Sequence, residues 1–357
     1  SPSIDVRFLV VDKNDFLARF NVTKQETPAV IPIWTTTPWT LPANEGVALN
    51  AMLDYVLVDC DGKELMCVAE ALLPGLMERY QIANYRVLGK LKGEALEGVL
   101  LHHPFFDKQV PVVLGDHVTV ETGTGAVHTS PAHGVDDFFV GQKYHLPLEN
   151  PVGDDGCYVK TTPLLAGLHV TKANDKVIDI LKEKNTLIHL QSLRHSYPHC
   201  WRHKTPLIFR ATPQWFISMD QNGLRQKALE AVLRVGWIPD WGQARIYGMI
   251  EKRPDWCISR QRTWGVPIPF FVHKETGELH PDIINIIEKV ALKVEKQGIE
   301  AWHTLDAKEL LGHEAGQYLK STDVLDVWFD SGVTHECVLK ARPELDFPCE
   351  MVLEGSD

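Results

Sequence analysis

The chain has 357 residues, 44% of them hydrophobic and 23% charged, with a net charge of −11. That length allows two or three domains with cores of their own, and the composition is that of an ordinary soluble globular protein. No apolar run is long enough for a membrane-spanning helix, and the acidic balance argues against broad binding to a nucleic-acid backbone while leaving room for a narrow site for a single-stranded end.

In chain order, residues 5–11, 29–34, 46–49, 54–59 and 64–68 are expected strands, rich in Val and Leu and separated by turn residues. The second runs into Thr35, Thr36 and Thr37. Pro38 and Trp39 then turn the chain, and Thr40, Pro42 and Asn44 keep it irregular. Three adjacent hydroxyls at a strand end can hold the polar parts of a ligand without adding charge. Threonine is also an ordinary strand residue, so this stretch alone leaves both readings open. A helix is expected over 69–80, where Leu72, Leu73, Leu76 and Met77 share a face, with Pro74 against it. Further strands are expected at 85–90 and 109–120. Many short strands with few helices predict a small barrel rather than alternating β-α-β units.

Residues 122–137 read TGTGAVHTSPAHGVDD. Gly123 and Gly125 permit a tight turn, and Pro131 and Gly134 let the chain bring His128 and Asp137 together. Asp136 and Asp137 precede an apolar helical segment containing Phe138, Phe139, Val140 and Tyr144. A carboxylate is favoured there by the helix dipole alone, so Asp137 reads either as a helix-start residue or as a binding group. Residues 148–158 are a loop, and 172–184 an amphipathic helix with Ala173, Val177, Ile178 and Leu181 in register. Residues 187–205 are locally basic. After them come a helix at 222–234, a loop at 236–242, and strands flanking a basic turn over 254–271. A helix follows at 281–297, opened by Pro281 and closed by Gly298. Residues 323–332 and 351–357 are expected strand ends carrying acidic groups, where ligands sit in open α/β sheets.

Seven cysteines are an odd number for a disulfide framework, and a reducing, cytoplasmic setting is expected. The chain starts on Ser1 with no signal peptide and stops on MVLEGSD, so a piece of a longer protein is expected. His199, Cys200 and His203 lack a second pair of ligands at zinc-site spacing, so no metal is expected. There is no nucleophile elbow, no zinc-protease helix motif and no phosphate-loop lysine. With no activated nucleophile near the threonines, a catalytic site here would use water, positioned by protein groups.

The segments WTTTPWTLPAN, GTGAVHTSPAHGVDD, HCWRHKTPLIFRATPQWF, PDWCISRQRTWGVPIP, DVLDVWFDSG and LEGSD together resemble the bacterial isoleucyl-tRNA synthetases, end to end. Valyl and leucyl relatives differ at Thr37-Pro38-Trp39 and after Gln261, where this chain has Arg262-Thr263-Trp264. The resemblance implies a mixed α/β fold class. Residues 1–205 would be the inserted editing domain (connective peptide 1), a β-barrel with peripheral helices. Residues 206–278 would return to a class I Rossmann-type catalytic domain, 279–322 would be a smaller insertion, and 323–357 a truncated part of the catalytic domain. The HIGH and KMSKS signatures that handle ATP are absent from these residues.

Carried over position by position, Thr35, Thr36 and Thr37 match the threonine-rich peptide of the editing pocket, with Trp39 and Asn44 beside it. His128 matches the histidine that limits side-chain room, and Asp137 the aspartate that holds the α-ammonium group. Thr37, His128 and Asp137 are the catalytic candidates. Glu354, Gly355 and Asp357 match residues near the aminoacyl-adenylate, with Trp328 and Asp330 as weaker candidates. The implied activity is hydrolysis of mischarged Val-tRNA(Ile), within an enzyme that joins isoleucine to tRNA(Ile) using ATP and Mg2+. No cofactor is expected for editing, no zinc and no membrane partner, and a monomer is expected. Three other readings stay open: amino-acid activation with ATP, a non-catalytic module binding the tRNA 3′ end, and a valyl or leucyl enzyme.

Overall fold

The structure, a computed structural model, describes residues 1–23 and 25–355. The chain divides into two units, Ser1–Thr212 and Pro213–Asp357. The first unit runs β1 (Pro2–Val10), α1 (Lys13–Arg19), β2 (Ala29–Thr35), β3 (Gly46–Leu49), β4 (Asp54–Cys60), β5 (Glu64–Ala69), α2 (Leu73–Arg79), β6 (Tyr85–Lys92), β7 (Leu100–His102), β8 (Gln109–Leu114), β9 (Val127–Thr129), α3 (Val135–Lys143), α4 (Val170–Glu183) and β10 (Leu187–Ser192). Its strands form one ten-stranded mixed sheet in the order β6-β4-β5-β2-β1-β7-β8-β3-β9, with β10 also paired to β1. The β2/β5 and β3/β8 pairs are parallel and the others antiparallel.

Strand periodicity explains two of the first unit's buried clusters. Ile4, Val6 and Phe8 of β1, Ile31 and Ile33 of β2, Tyr55 and Leu57 of β4, and Leu65 and Cys67 of β5 meet in one cluster, which α4 covers with Ala173, Val177 and Leu181. The intervening residues Val30, Val56, Val58, Met66 and Val68 point the other way and meet Leu73, Leu76 and Met77 of α2. Strands covered on both faces read as continuous apolar runs, as these do. Phe8 has no exposed surface, and its truncation to Ala would cost about 3–5 kcal/mol.

The expected barrel takes the form of a rolled sheet. Its β9 side comes back to the far end of β5, where Ala69 N–H donates to Thr124 O (3.2 Å) and Tyr55 Oη–H to Gly125 O (2.6 Å). Among the described residues no strand ladder completes the circle. Gly125 allows the return. Its φ is +80°, and a Cβ there would lie 2.3 Å from the Ala69 Cβ.

Some local expectations change. Residues 70–72 form a 3-10 turn before α2, and Pro74 falls in the first turn of α2, where its missing N–H is no loss. The strand expected over 109–120 stops at Leu114. Within the basic stretch 187–205, Leu187–Ser192 is a strand.

The second unit contains β11 (Phe216–Ile217), α5 (Leu224–Val232), α6 (Trp241–Glu251), β12 (Trp256–Cys257), β13 (Ser259–Arg260), β14 (Phe271–His273), α7 (Ile283–Gln297), α8 (Glu300–Thr304), α9 (Lys308–Leu311), β15 (Tyr318–Lys320), β16 (Val324–Leu325) and α10 (Val327–Gly332). The strands pair as β11-β12, β13-β16 and β14-β15, each antiparallel. A compact core gathers Phe271, Ile286, Val290, Trp302, Leu305 and Leu311 around α7. The strand end expected at 323–332 is β16 followed by a helix, because the Asp326 side chain accepts the Trp328 N–H (3.3 Å) and caps α10. Residues 351–355 carry no strand.

No helix among the described residues is long and apolar enough to cross a membrane.

Candidate functional site

The threonine run lies where β2 ends. Thr35 is the last residue of the strand, and Pro38 opens a 3-10 turn over Pro38–Ala43. Thr35 Oγ1 accepts the Thr37 N–H (3.1 Å) and lies 3.3 Å from Thr37 Oγ1. Thr37 Oγ1 is in turn 3.4 Å from Thr40 Oγ1. Thr36 is half-buried.

Strand β9 brings the second half of the site. It pairs antiparallel with β3, with His128 opposite Val47, and sets the imidazole against the turn. Thr40 Oγ1 lies 2.9 Å from His128 Nε2. The single Thr40 hydroxyl proton goes to Thr37 O (2.9 Å), so the donor count puts the imidazole proton on Nε2, facing Thr40. Ser130 Oγ–H donates to Thr40 O (3.0 Å) and lies 3.4 Å from His128 Nδ1. Burial pushes the His128 pKa down to about 4, helped by the nearby His133, so the ring is neutral at neutral pH. Its preferred proton is committed to Thr40, and its side chain is a wall of fixed size.

Asp137 sits in the first turn of α3, three residues after the N-cap Gly134. Its Oδ2 accepts the Ser130 N–H (2.9 Å), which ties the carboxylate to the strand that carries His128. Gly134 leaves room for this: a Cβ there would lie 2.8 Å from Asp137 Oδ2. Burial raises the Asp137 pKa, while the Ser130 N–H and His117 oppose the rise. A helix N-terminus favours the ionised form.

The structure therefore brings Thr35, Thr37, His128 and Asp137 into one hydrogen-bonded series. Sequence reasoning did not assign its links Thr40 and Ser130 a role, although both lie inside the quoted motifs. Trp39 and Asn44 stand behind the series. Trp39 is 6% exposed and meets the His133 ring edge-on at 5.0 Å between centroids. Its N–H donates to Asn174 Oδ1 (3.1 Å) and its carbonyl accepts the Tyr158 hydroxyl. Asn44 has no exposed surface and donates to Gly46 O (2.8 Å). Asn44 Oδ1, Thr129 Oγ1 and His133 Nε2 are buried without a hydrogen-bond partner. Two concavities, of about 560 Å3 beside Arg7, Glu64 and Tyr80 and about 380 Å3 beside Pro42, Phe106 and Thr162, do not include the four assembled residues.

The candidates of the second unit are arranged differently. Glu354 and Gly355 are exposed, and Asp357 lies outside the described residues. Ser331 Oγ–H reaches Glu354 Oε1 at 3.4 Å. Trp328 is 50% exposed. Burial raises the Asp330 pKa, with Asp326 adding to it. The buried acid of this segment is Asp326, which accepts from Arg260 (2.6 Å) and from Trp256 Nε1 (3.0 Å). Cys200 Sγ lies 3.4 Å from His203 Nδ1, and His199 Nδ1 bonds to Tyr197 O (2.8 Å). Among the described residues no three His, Cys, Asp or Glu side chains converge as a metal ion would require.

The model of the family described as tRNA synthetases class I (I, L, M and V) matches residues 10–357. Isoleucine–tRNA ligase of Methylococcus capsulatus is 61% identical over the whole chain, and those of Nitrosococcus oceani and Legionella pneumophila are 57% and 55% identical. The chain spans 38% of the length of each of these relatives. Among solved structures, the editing domain of the P. knowlesi cytosolic leucyl-tRNA synthetase aligns with 54% of this chain and 97% of its own, at 14% identity and a TM-score of 0.44. That of P. falciparum aligns with 54% and 100%, at 12% identity and a TM-score of 0.42. Similarity that low says nothing of what the chain does.

Proposed function

Since the chain belongs to the class I tRNA synthetases (I, L, M and V), we propose that it is part of an isoleucine-specific member, and that residues 1–205 hydrolyse valine from mischarged tRNA(Ile). Identities of 55–61% to isoleucine–tRNA ligases support the specificity. The observation that carries the hydrolytic reading is the hydrogen-bonded series of threonines, His128 and Asp137: fixed hydroxyls, a neutral imidazole wall and a carboxylate on one strand-and-helix frame.

The need for such a site is physical. One missing methylene in a pocket is worth only about 1–3 kcal/mol, and isoleucine against valine is the standard worked case of that limit. A second pocket that admits valine and excludes isoleucine by size supplies the rest. In our reading Asp137 holds the α-ammonium by a charge-assisted bond. The neutral His128 limits the room for the side chain, and Trp39 and Asn44 form the floor behind it. Thr35, Thr36 and Thr37 hold the ester, with Thr37 and nearby backbone N–H groups facing the developing oxyanion. A water oxygen attacks the ester carbon, the bond to the ribose oxygen breaks, and that oxygen leaves with a proton. The products are free valine and uncharged tRNA.

For the whole protein we propose attachment of isoleucine to tRNA(Ile) with ATP and Mg2+, as a cytoplasmic monomer. Residues 206–278 and 323–357 would belong to its catalytic domain and 279–322 to a smaller insertion. The test is deacylation of Val-tRNA(Ile) and Ile-tRNA(Ile) by the chain. Hydrolysis of the first and not the second supports the reading. Binding of both without hydrolysis would make the unit a passive module for the tRNA end. His128→Ala is expected to open the wall and let Ile-tRNA(Ile) be cleaved; continued sparing of the cognate ester would remove the size role from His128.

A further inference from the structure

Residues 184–212 contain Lys184, Arg194, Arg202, Lys204 and Arg210 and no Asp or Glu, in a chain whose net charge is −11. Interleaved with these cations are Tyr197, Trp201 and Phe209 and the histidines 189, 195, 199 and 203. The part beyond β10 folds into a narrow hairpin. His199 pairs with Pro206, Cys200 N–H donates to Thr205 O (2.8 Å), Lys204 N–H to Cys200 O (2.8 Å), and Leu207 N–H to Pro198 O (3.0 Å). The Tyr197 hydroxyl braces it by donating to Leu207 O (2.9 Å).

The tip is residues 201–204, all exposed. Trp201 is 76% exposed, and the Arg202 guanidinium lies 5.0 Å from its ring centroid, covering one face. Such a ring would bury itself against any apolar neighbour within reach; here it is held outward by a hydrogen-bonded frame. The hairpin's returning leg is fastened beside the candidate site. His133 Nδ1 bonds to Phe209 O (2.9 Å), and Ala211 N–H donates to Ala132 O (2.6 Å). Ala132 and His133 form the turn between β9, which carries His128, and α3, which carries Asp137. Arg210 is occupied by Asp154 (2.7 Å), so Arg202 and Lys204 are the cations at the tip.

We propose that this hairpin tip docks an unpaired stretch of nucleic acid, with a base stacked on Trp201 and phosphates on Arg202 and Lys204. An exposed aromatic ring flanked by cations, in a segment free of acids, is the arrangement that binds single strands without reading their sequence. A protein segment would need apolar or acidic complementarity over a wider face than four residues give. The inference rests on the proposed function, which supplies an unpaired tRNA end as the occupant, and it adds where that end is gripped.

The test uses the chain as it is, with a fluorescein-labelled 12-nucleotide single-stranded RNA and a blunt RNA duplex, followed by anisotropy at three salt concentrations. The single strand should bind, and the duplex at least tenfold more weakly. Trp201→Ala should weaken single-strand binding by about 5- to 150-fold. Arg202→Gln with Lys204→Gln should lower the slope of log affinity against log salt by about 1.4, two phosphate contacts' worth. Both variants lie on an exposed tip and should fold as wild type does. Unchanged binding in both overturns the proposal, as does duplex binding equal to single-strand binding. Deacylation of Val-tRNA(Ile) by the unaltered chain is read in parallel. Absent deacylation with Trp201-dependent RNA binding overturns the proposed function and leaves the hairpin site standing; active deacylation with indifferent variants overturns the hairpin site alone.

Discussion

The series from Thr35 to Asp137 and the segment from Asp326 to Glu354 use similar side chains to different ends. In the first unit, hydroxyls, imidazole and carboxylate are partnered with one another over short distances, and His128 and Thr40 are both buried. In the second, the buried carboxylate of Asp326 is consumed by Arg260, Trp256 and the start of α10, while Glu354 stands exposed with a hydroxyl at 3.4 Å. A polar group that is buried and fully partnered fixes the geometry around it; an exposed one exchanges partners with water. On that basis the first region is a preformed wall and the second is a surface.

The largest effect that could break this contrast is on Asp137. Asp137→Asn keeps an oxygen for the Ser130 N–H and removes the charge, so the unit should fold as before. Loss of a charge facing an ammonium in a half-buried site should slow Val-tRNA(Ile) deacylation by about 10²- to 10³-fold, the middle of the roughly 2–5 kcal/mol seen for truncated charge pairs. Asp137→Ala should do the same and also loosen the start of α3. Deacylation within threefold of wild type in the Asn variant would make Asp137 a helix-start residue and nothing more.

Next comes the link that joins the halves. Thr40→Val removes the acceptor for the His128 Nε2–H and the donor to Thr37 O in one nearly isosteric step. A buried donor left without a partner costs about 1–3 kcal/mol, and urea unfolding should show a midpoint shift of that size. Thr36→Val, at a half-buried position outside the series, should shift it far less.

The pH dependence follows from His128. Its folded pKa, about 4, lies below the ordinary value of 6.5 because the charged ring would be buried. Between those two values the unfolded chain binds the proton and the folded one does not, so the stability present above pH 6.5 is lost as pH falls toward 4. From pH 7 to 5 this one group should cost about 2 kcal/mol. His103, pushed down to about 3 by its own burial, adds in the same direction. Asp137 acts the other way: with its pKa raised, the folded state gains relative stability as pH falls through the raised value toward 3.8. Urea midpoints at pH 7 and 5 for wild type and His128→Gln test the share of His128, because the variant should lose its part of the difference even if it is less stable throughout.

How much of this was legible beforehand varies with the range of the interaction. The strands at 54–59 and 64–68 were readable from their Val- and Leu-rich runs, but which core each residue joins was not, because a run that is apolar throughout does not mark its two faces. Thr35, Thr37, His128 and Asp137 were named from motifs. The roles of Thr40 and Ser130 were not, since they depend on β3 and β9 pairing across 78 or more intervening residues (Ala48 with Val127 at the nearest pair) and on the resulting rotation of the turn. Burial of Trp39 and Asn44 was equally invisible: an Asn after Pro and Ala looks like an exposed turn residue until Gly46 O is found beside it. DVLDVWF alternates as a strand does, and only the Asp326 cap turns Val327–Gly332 into a helix.

The smallest expected effect bears on the surface side of the comparison. Glu354 is exposed, and its near partner among the described residues is the Ser331 hydroxyl at 3.4 Å, so Glu354→Ala has little folded-state interaction to remove. Its stability change should stay within about 0.5 kcal/mol, the range of ordinary surface substitutions. Deacylation of Val-tRNA(Ile) should be unaltered, because none of the groups assigned to that reaction touches it. A drop in either quantity would mean that Glu354 is held by contacts of the same kind as Asp137, and the division between wall and surface would have to be redrawn around it.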